Sequence, residues 1–164
     1  MSNNSIISPD WLPIRVEGND IVVDKATATS FGGSNDPMDD GQTSSGVSTK
    51  LHPTILGCSL PMNYQGKDQA TRRAVGGSPI PMLPFGLFAN GKPNPNGTLI
   101  SVTYNGKIQI LPLIDIGPAL WTKHAIDLTV TAFTNFGVKQ SIGVLPVSFR
   151  ILGAAKYLKN NNTR

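Results

Sequence analysis

The chain has 164 residues, of which 39% are hydrophobic and only 15% charged, and it contains 17 glycines and 13 prolines. This length suits a single domain with tails, and such a chain can bury a core without disulfides or a structural metal. No apolar run reaches the roughly 18 residues of a membrane-spanning helix, and the low charge excludes a long disordered polyelectrolyte.

The net charge of +4 is distributed unevenly along the chain. Residues 1–40 carry a net charge of −5, whereas residues 41–164 carry +9. A basic body favours an anionic partner, such as a cell-wall polymer or an acidic protein. Nucleic acid is the weakest candidate, because no Lys/Arg cluster is interleaved with aromatic residues. The alternative is that the two halves neutralise each other in the fold.

The N-terminal residues lack the basic and apolar regions of a secretory signal peptide. We therefore expect cytoplasmic synthesis, with any export occurring as part of a particle or by a route without a signal peptide. The single cysteine, Cys58, has no intramolecular disulfide partner and lies in an apolar stretch. This context predicts a buried side chain rather than a nucleophile.

Short apolar runs separated by glycine and proline predict an all-β domain. Residues 14–16 and 21–23 are the first predicted strands, and residues 26–31 alternate small and polar side chains with a period of two. A long irregular stretch rich in Gly, Ser, Asp and Pro follows over residues 32–81. A loop of this length is usually functional or held by partner contacts.

The second half of the chain carries stronger local signals. Two β-type runs, residues 99–104 and 107–114, are joined by Asn105-Gly106, which is typical of a tight hairpin. A short helix is predicted from Thr129, as its N-cap, to Gly137. Residues 145–152 form the last predicted strand, and a polar tail follows.

Six short segments carry a resemblance to one fold family. They are residues 26–33 (ATATSFGG), 43–46 (TSSG), 83–86 (LPFG), 114–118 (IDIGP), 125–133 (AIDLTVTAF) and 147–152 (VSFRIL). In this order they resemble the double-psi β-barrel of the rare-lipoprotein-A group, whose relatives include expansins, barwin and the family-45 endoglucanases. The resemblance implies a six-stranded double-psi β-barrel over residues 26–152, with one or two short helices and a long irregular insertion. Residues 1–25 would form an extension with short strands, and residues 153–164 a polar tail.

The resemblance also implies a function in the bacterial cell wall. The family's enzymes cleave peptidoglycan glycan as lytic transglycosylases, and its catalytic acid matches Asp127, with Asp115 facing the same groove. Cleavage of a glycosidic bond needs a carboxylic acid with a raised pKa to protonate the leaving oxygen. A second carboxylate assists by stabilising positive charge on the sugar. The structural alternatives are that Asp127 caps the following helix and that Asp115 forms a turn.

Four further residues are candidates for substrate binding. His124 and Trp121 lie between the two aspartates, and Thr29 and Ser30 lie in the predicted opening strand. Trp121 offers an aromatic face for a sugar ring, or else it packs over the barrel mouth. His124 is otherwise a surface residue, and the hydroxyls of Thr29 and Ser30 otherwise pack within the strand.

No cofactor or metal is expected. The acidic segment formed by Asp36, Asp39, Asp40 and Gly41 lacks the alternating oxygens of a calcium loop, because its third position is Met38. A solvated acidic loop is the simpler interpretation.

Two departures from the family pattern favour an alternative function. The family's enzymes carry a histidine shortly before the L-P-F-G loop, where this chain has Ser78-Pro79-Ile80-Pro81-Met82, and Ile116 stands where the family has an arginine. The alternative is a non-catalytic structural or interaction module, for example a component of a phage tail or injection apparatus. The expected partners are therefore cell-wall glycan or other proteins of a larger assembly, without nucleic acid or a membrane span.

Overall fold

The computed structural model describes residues 9–32 and 41–161, with side chains up to residue 158. Seven strands and three short helices lie within this part of the chain. The strands are β1 (Ile14–Glu17), β2 (Asp20–Phe31), β3 (Cys58–Leu60), β4 (Leu99–Tyr104), β5 (Lys107–Ile116), β6 (Ile126–Thr129) and β7 (Leu145–Ile151). The helices are α1 (Gln69–Val75), α2 (Val130–Thr134) and α3 (Ala155–Asn161).

Six of the strands form a closed barrel. Their order is β2-β6-β3-β5-β4-β7, and pairing of β7 with β2 closes the sheet. The pairs β2–β6 and β3–β5 are parallel, whereas the other neighbours are antiparallel. β1 lies outside the barrel and pairs with β2. The structure thus confirms the predicted all-β barrel with short helices, and its two parallel pairs give it a double-psi-like connectivity.

Strand alternation separates the core from the outer surface. Along β7, for example, Leu145, Val147, Phe149 and Ile151 are buried while the residues between them are more exposed. Side chains of successive strand residues point to opposite faces of a sheet, so every second residue enters the barrel. The helix α2 adds Ala132 and Phe133 to this core. Most polar strand residues consequently lie on the outside of the barrel, whereas Ser59 and Thr129 are buried.

The predicted hairpin is present, and the predicted first strands are longer than expected. Asn105 and Gly106 connect β4 to β5 and both have positive φ, 48° and 78°, as a two-residue turn of this kind requires. β2 is one continuous strand that joins the two runs predicted at residues 21–23 and 26–31. It runs across the predicted boundary between the extension, residues 1–25, and the barrel, residues 26–152.

The stretch predicted as irregular contains two regular elements. Both β3 and α1 lie within residues 41–81, where the sequence shows no periodicity. α1 is capped by Asp68, whose side chain accepts hydrogen bonds from the amides of Ala70 and Thr71. The predicted helix at residues 129–137 is shorter, because α2 ends at Thr134, and α3 occupies part of the predicted polar tail.

Ion pairs join the acidic N-terminal region to the basic body. Arg150 on β7 contacts Glu17 at 2.8 Å and Asp20 at 3.0 Å, and Arg15 contacts Glu17 and Asp24. Hydrogen bonds from the two arginines hold the pKa of Glu17 at about 2. The neutralisation expected as the alternative to an anionic partner thus occurs for part of the acidic region.

The described residues contain neither a candidate membrane-spanning helix nor a candidate metal-binding cluster. Among them, no helix is long and apolar enough to cross a membrane. Within the same ranges no cluster of three or more His, Cys, Asp or Glu side chains could hold a metal ion. The segment of Asp36, Asp39 and Asp40 lies outside the described residues.

Candidate functional site

Four polar residues form a row across four adjacent strands of the barrel. The strand register places Thr29 of β2 beside Asp127 of β6, Asp127 beside Ser59 of β3, and Ser59 beside Asp115 of β5. Neighbouring strands lie about 4.8 Å apart, so the Cα atoms of the two aspartates are about 10 Å apart. The fold therefore brings both predicted catalytic acids to one surface.

Asp127 is held between two hydroxyl groups on neighbouring strands. The hydroxyl of Thr29 donates to Oδ1 of Asp127, and the Ser59 side chain also hydrogen-bonds the carboxyl group. Burial is the main cause that raises the pKa of Asp127, and the negative charge of Asp115 adds to it. The hydrogen bonds from Thr29 and Ser59 lower the pKa, and the net value is about 6. A carboxyl group in this state can donate a proton near neutral pH.

Two backbone amides hold the carboxylate of Asp115. Its Oδ1 accepts hydrogen bonds from the amide of Ser44 at 2.9 Å and from the amide of Ile116 at 2.8 Å. A β-bulge at Ile114 shifts the β3–β5 register by one residue, and this shift brings Asp115 opposite Ser59. The hydrogen bond from the Ser44 amide therefore links Asp115 to the turn at residues 43–46. The same residue lies opposite Ser59 in the row of polar residues.

Asp127 does not have the helix-capping position considered as its alternative role. The N-cap of α2 is Thr129, whose side chain makes no capping hydrogen bond. Its hydroxyl instead accepts a hydrogen bond from the amide of Gly57 at 3.2 Å. The hydrogen bonds of Asp127 run to Thr29 and Ser59, on the strands at either side.

The side chain of His124 contacts the same outer face of β2, through Thr27 rather than Thr29. Its Nδ1 lies 2.9 Å from the hydroxyl of Thr27, two residues before Thr29. Residues two apart on a strand share a face and are separated by about 7 Å. His124 therefore lies beside Asp127 along the strand, with Thr27 as its hydrogen-bond partner.

The other two predicted binding residues have different surroundings. Trp121 lies in a 3-10 turn, Leu120–Thr122, and is 80% exposed, so it does not pack over the barrel mouth. Ser30 alternates with Thr29 and so points to the opposite side of β2, where Nε2 of Gln140 is 3.4 Å from its hydroxyl. Thr29, His124 and Asp127 thus share one surface, and Ser30 is separate from it.

Residues 78–82 stand where the family's enzymes carry a histidine, and this segment packs against the barrel core. Ile80 is fully buried and Ser78 is buried too, with its hydroxyl accepting the amide of Ile80 at 3.1 Å. None of residues 78–82 has an ionisable side chain. Cys58 is also fully buried, as the sequence predicts, and burial raises the pKa of its thiol.

Ser59 is the site residue that the sequence did not reveal. It lies in the stretch predicted to be irregular, and β3 has only three residues. The apolar–polar–apolar order of Cys58-Ser59-Leu60 is the available signal, because alternation of this kind is typical of a strand with one polar face.

Comparisons with known proteins leave the chain without an assigned family. No family model matches the sequence, and no curated protein matches it. Among solved structures, the fold is similar to the Streptomyces papain inhibitor (SPI), with a TM-score of 0.45 and 18% sequence identity. That similarity covers 77% of this chain and 91% of the inhibitor. None of these comparisons confirms the resemblance to the rare-lipoprotein-A group.

Proposed function

We propose that this chain acts on bacterial cell-wall glycan, with Asp127 as the general acid of a lytic-transglycosylase-like cleavage. The observation that supports the proposal is the half-buried side chain of Asp127, whose carboxyl group has a pKa of about 6. A free aspartic acid has a pKa of about 3.9 and is almost fully ionised at pH 6. The environment of Asp127 thus keeps a proton available for transfer where an ordinary aspartate has lost it.

One carboxyl group suffices for the proposed reaction. Asp127 gives its proton to the glycosidic oxygen as the bond from that oxygen to the sugar C1 breaks. The 6-hydroxyl of the same sugar then attacks C1 and returns a proton to Asp127. The products are a 1,6-anhydro sugar and the released alcohol, no water is consumed, and the acid is regenerated.

The neighbours of Asp127 have complementary roles in this scheme. The hydroxyls of Thr29 and Ser59 orient the carboxyl group and stabilise its ionised form between the two proton transfers. Asp115, held by the amides of Ser44 and Ile116, contributes a negative charge that favours the positive transition state on the sugar. The basic body of the chain suits an anionic wall polymer.

Incubation with purified peptidoglycan sacculi tests this proposal. The soluble fraction is analysed by mass spectrometry for the wild type, Asp127→Asn and Asp10→Asn, the last being an exposed control with the same change of charge. We expect anhydro-muropeptides from the wild type and Asp10→Asn and none from Asp127→Asn. Absence of release from the wild type would overturn catalysis, and co-sedimentation without release would leave a wall-binding barrel.

The pH profile gives a second measurement in the same assay. The hydrogen bond from Thr29 lowers the pKa of Asp127, so Thr29→Val should shift the alkaline limit of activity to higher pH. Thr27→Val is the matched control, because Thr27 contacts His124 instead. An equal shift in both variants would contradict the assignment of Asp127 as the acid.

A non-catalytic interaction module is the second candidate function. It is supported by large apolar side chains on the surface, among them Ile108 and Ile110 on β5, which are 64% and 60% exposed. Exposed groups of this kind often mark contacts with other proteins. Light scattering after size-exclusion chromatography should then show a defined oligomer or a co-purified partner. The sacculus assay should show neither glycan release nor binding.

A further inference from the structure

An open surface cavity with polar and apolar lining lies over β2, β4 and β7, apart from Asp127. Its volume is about 480 Å³, and its polar lining consists of Asp24, Lys25, Thr103, Asn105 and Ser148. This volume falls within the usual range of small-molecule sites, about 300–1,000 Å³. The cavity carries none of the residues of the row from Thr29 to Asp115.

A β-bulge creates the cavity's charged wall. In the β2–β7 pairing, Val23 lies opposite Phe149 and Ala26 opposite Val147, so both Asp24 and Lys25 face the single residue Ser148. Both bulge residues are exposed, in contrast to the buried Val23 before them. A bulge of this type redirects side chains without ending the strand, and bulges are enriched beside functional sites.

The polar lining of the cavity continues from β2 across β7 to β4. Thr103 is the register partner of Ser148, so their hydroxyls lie side by side on the outer face. Asn105, at the hairpin turn after β4, completes the polar rim. Ala26 and Pro146 supply apolar lining. The cavity thus combines hydroxyl and amide groups with an apolar wall.

The charges of the two bulge residues differ in availability. Both carboxylate oxygens of Asp24 accept hydrogen bonds from Arg15, at 2.7 and 3.1 Å. Within residues 9–32 and 41–158, the side chains of Lys25, Thr103 and Ser148 have no hydrogen-bond or ion-pair partner. Lys25 therefore provides a positive charge at the cavity that no described acidic group pairs with, next to hydroxyls that can donate and accept.

From this arrangement we infer that the cavity binds a small carboxylated saccharide. The ammonium group of Lys25 pairs with the ligand's carboxylate, and Thr103, Ser148 and Asn105 hydrogen-bond its hydroxyls. The apolar C–H groups of the sugar contact Ala26 and Pro146. This inference rests on the cavity alone and does not depend on catalysis at Asp127. Asp127 lies on β6 beside Thr29, which is four residues beyond Lys25 on β2.

Amide NMR of the 15N-labelled full chain, titrated with D-glucuronate, tests the inference. D-glucose and sodium acetate are parallel probes that carry only the hydroxyls or only the carboxylate. We expect saturable shifts at the amides of residues 24–26, 103–105 and 147–148 with glucuronate, and much weaker responses to the other two. No shift at these amides, or equal responses to all three probes, would overturn the inference.

Variants separate this cavity from other surfaces. Lys25→Gln should weaken glucuronate binding by about tenfold or more, as expected for loss of a charge-assisted hydrogen bond. Lys92→Gln is the matched control, because Lys92 is exposed in the loop before β4 and does not line the cavity. Asp127→Asn should leave glucuronate binding unchanged. An equal loss of glucuronate affinity in Lys25→Gln and Lys92→Gln would show that only the net charge of the protein matters. That result would contradict the proposed contacts.

Discussion

The local environment decides the acidity of each aspartate in this chain. Asp68, exposed at the start of α1, has its pKa lowered by hydrogen bonds from the Thr71 side chain and from backbone amides. Asp127 also accepts a hydrogen bond from a threonine, yet its pKa rises to about 6 because burial dominates. The two residues differ in solvation rather than in chemistry. The raised pKa is therefore a property of the position of Asp127 on β6.

The raised pKa predicts an unusual pH dependence of stability. The pKa of Asp127 lies about two units above its ordinary value of 3.8, so the folded state binds more protons than the unfolded state between about pH 4 and 6. Its stabilising contribution is complete below about pH 4 and is lost as pH rises through 6, a change of about 3 kcal/mol. Asp127→Asn should remove this contribution.

Urea unfolding at a series of pH values measures the effect. The difference in unfolding free energy, variant minus wild type, should increase by up to about 3 kcal/mol from pH 4 to pH 7. Subtraction removes the opposite dependence of Glu17, Asp20 and Asp24, whose pKa values are lowered and which lose stability in acid. A difference that stays constant with pH would show that Asp127 titrates normally.

The site residues were found from sequence to very different degrees. Asp127 and Asp115 lie in motifs of the resemblance and His124 lies between those motifs, and the structure places the two aspartates in one row. Their catalytic and binding roles stay predictions. Ser59 was missed, because its relation to Asp127 arises only from the pairing of β3 with β6. A cross-strand partner distant in sequence leaves no local pattern.

At the scale of elements, the sequence predicted those elements that depend on contacts between neighbouring residues, and it missed those that depend on distant segments. The Asn105-Gly106 hairpin was predicted because both turn residues favour positive φ. β3 was missed since a three-residue strand depends on β5 and β6 at either side. α3 was missed because its sequence is polar, although Tyr157 and Leu158 pack against the core. Tertiary contacts stabilise both elements against weak local preference.

The loop before β4 depends on close backbone contact at glycine. A Cβ atom at Gly97 would lie 2.3 Å from the carbonyl oxygen of Phe85 and 2.4 Å from the Cα of Gly86. The L-P-F-G segment would have to move, and it is joined to β5 by the hydrogen bond from the Gly86 amide to the Leu113 carbonyl. We therefore expect Gly97→Ala to lower the free energy of unfolding by about 1–3 kcal/mol.

Thermal and urea unfolding of Gly97→Ala and Asn96→Ala provide the test. Asn96 precedes the glycine and is exposed, so its truncation to alanine should have little effect. Equal stability of Gly97→Ala and the wild type would mean that the loop tolerates the added methyl group.

At the scale of the whole molecule, barrel closure separates β1 from the other strands. Each barrel strand pairs with two other barrel strands, whereas β1 pairs with β2 alone. Strands with fewer partners open at lower free energy than a closed core. Native-state hydrogen exchange should therefore show β1 amides exchanging first and the buried strands β2, β4 and β7 exchanging together at the slowest rate. Equal protection of β1 and β7 would contradict this order.

The sequence by itself determined the all-β class, the β4–β5 hairpin, the burial of Cys58 and the position of both candidate acids in the chain. These follow from alternation, turn chemistry and residue type, which act over a few neighbouring residues. Only the tertiary structure decided that Ser59 separates the two aspartates, that Ser30 lies apart from Thr29, and that a bulge aims Lys25 into a cavity. Strand register sets all three, and register is a relation between segments far apart in sequence.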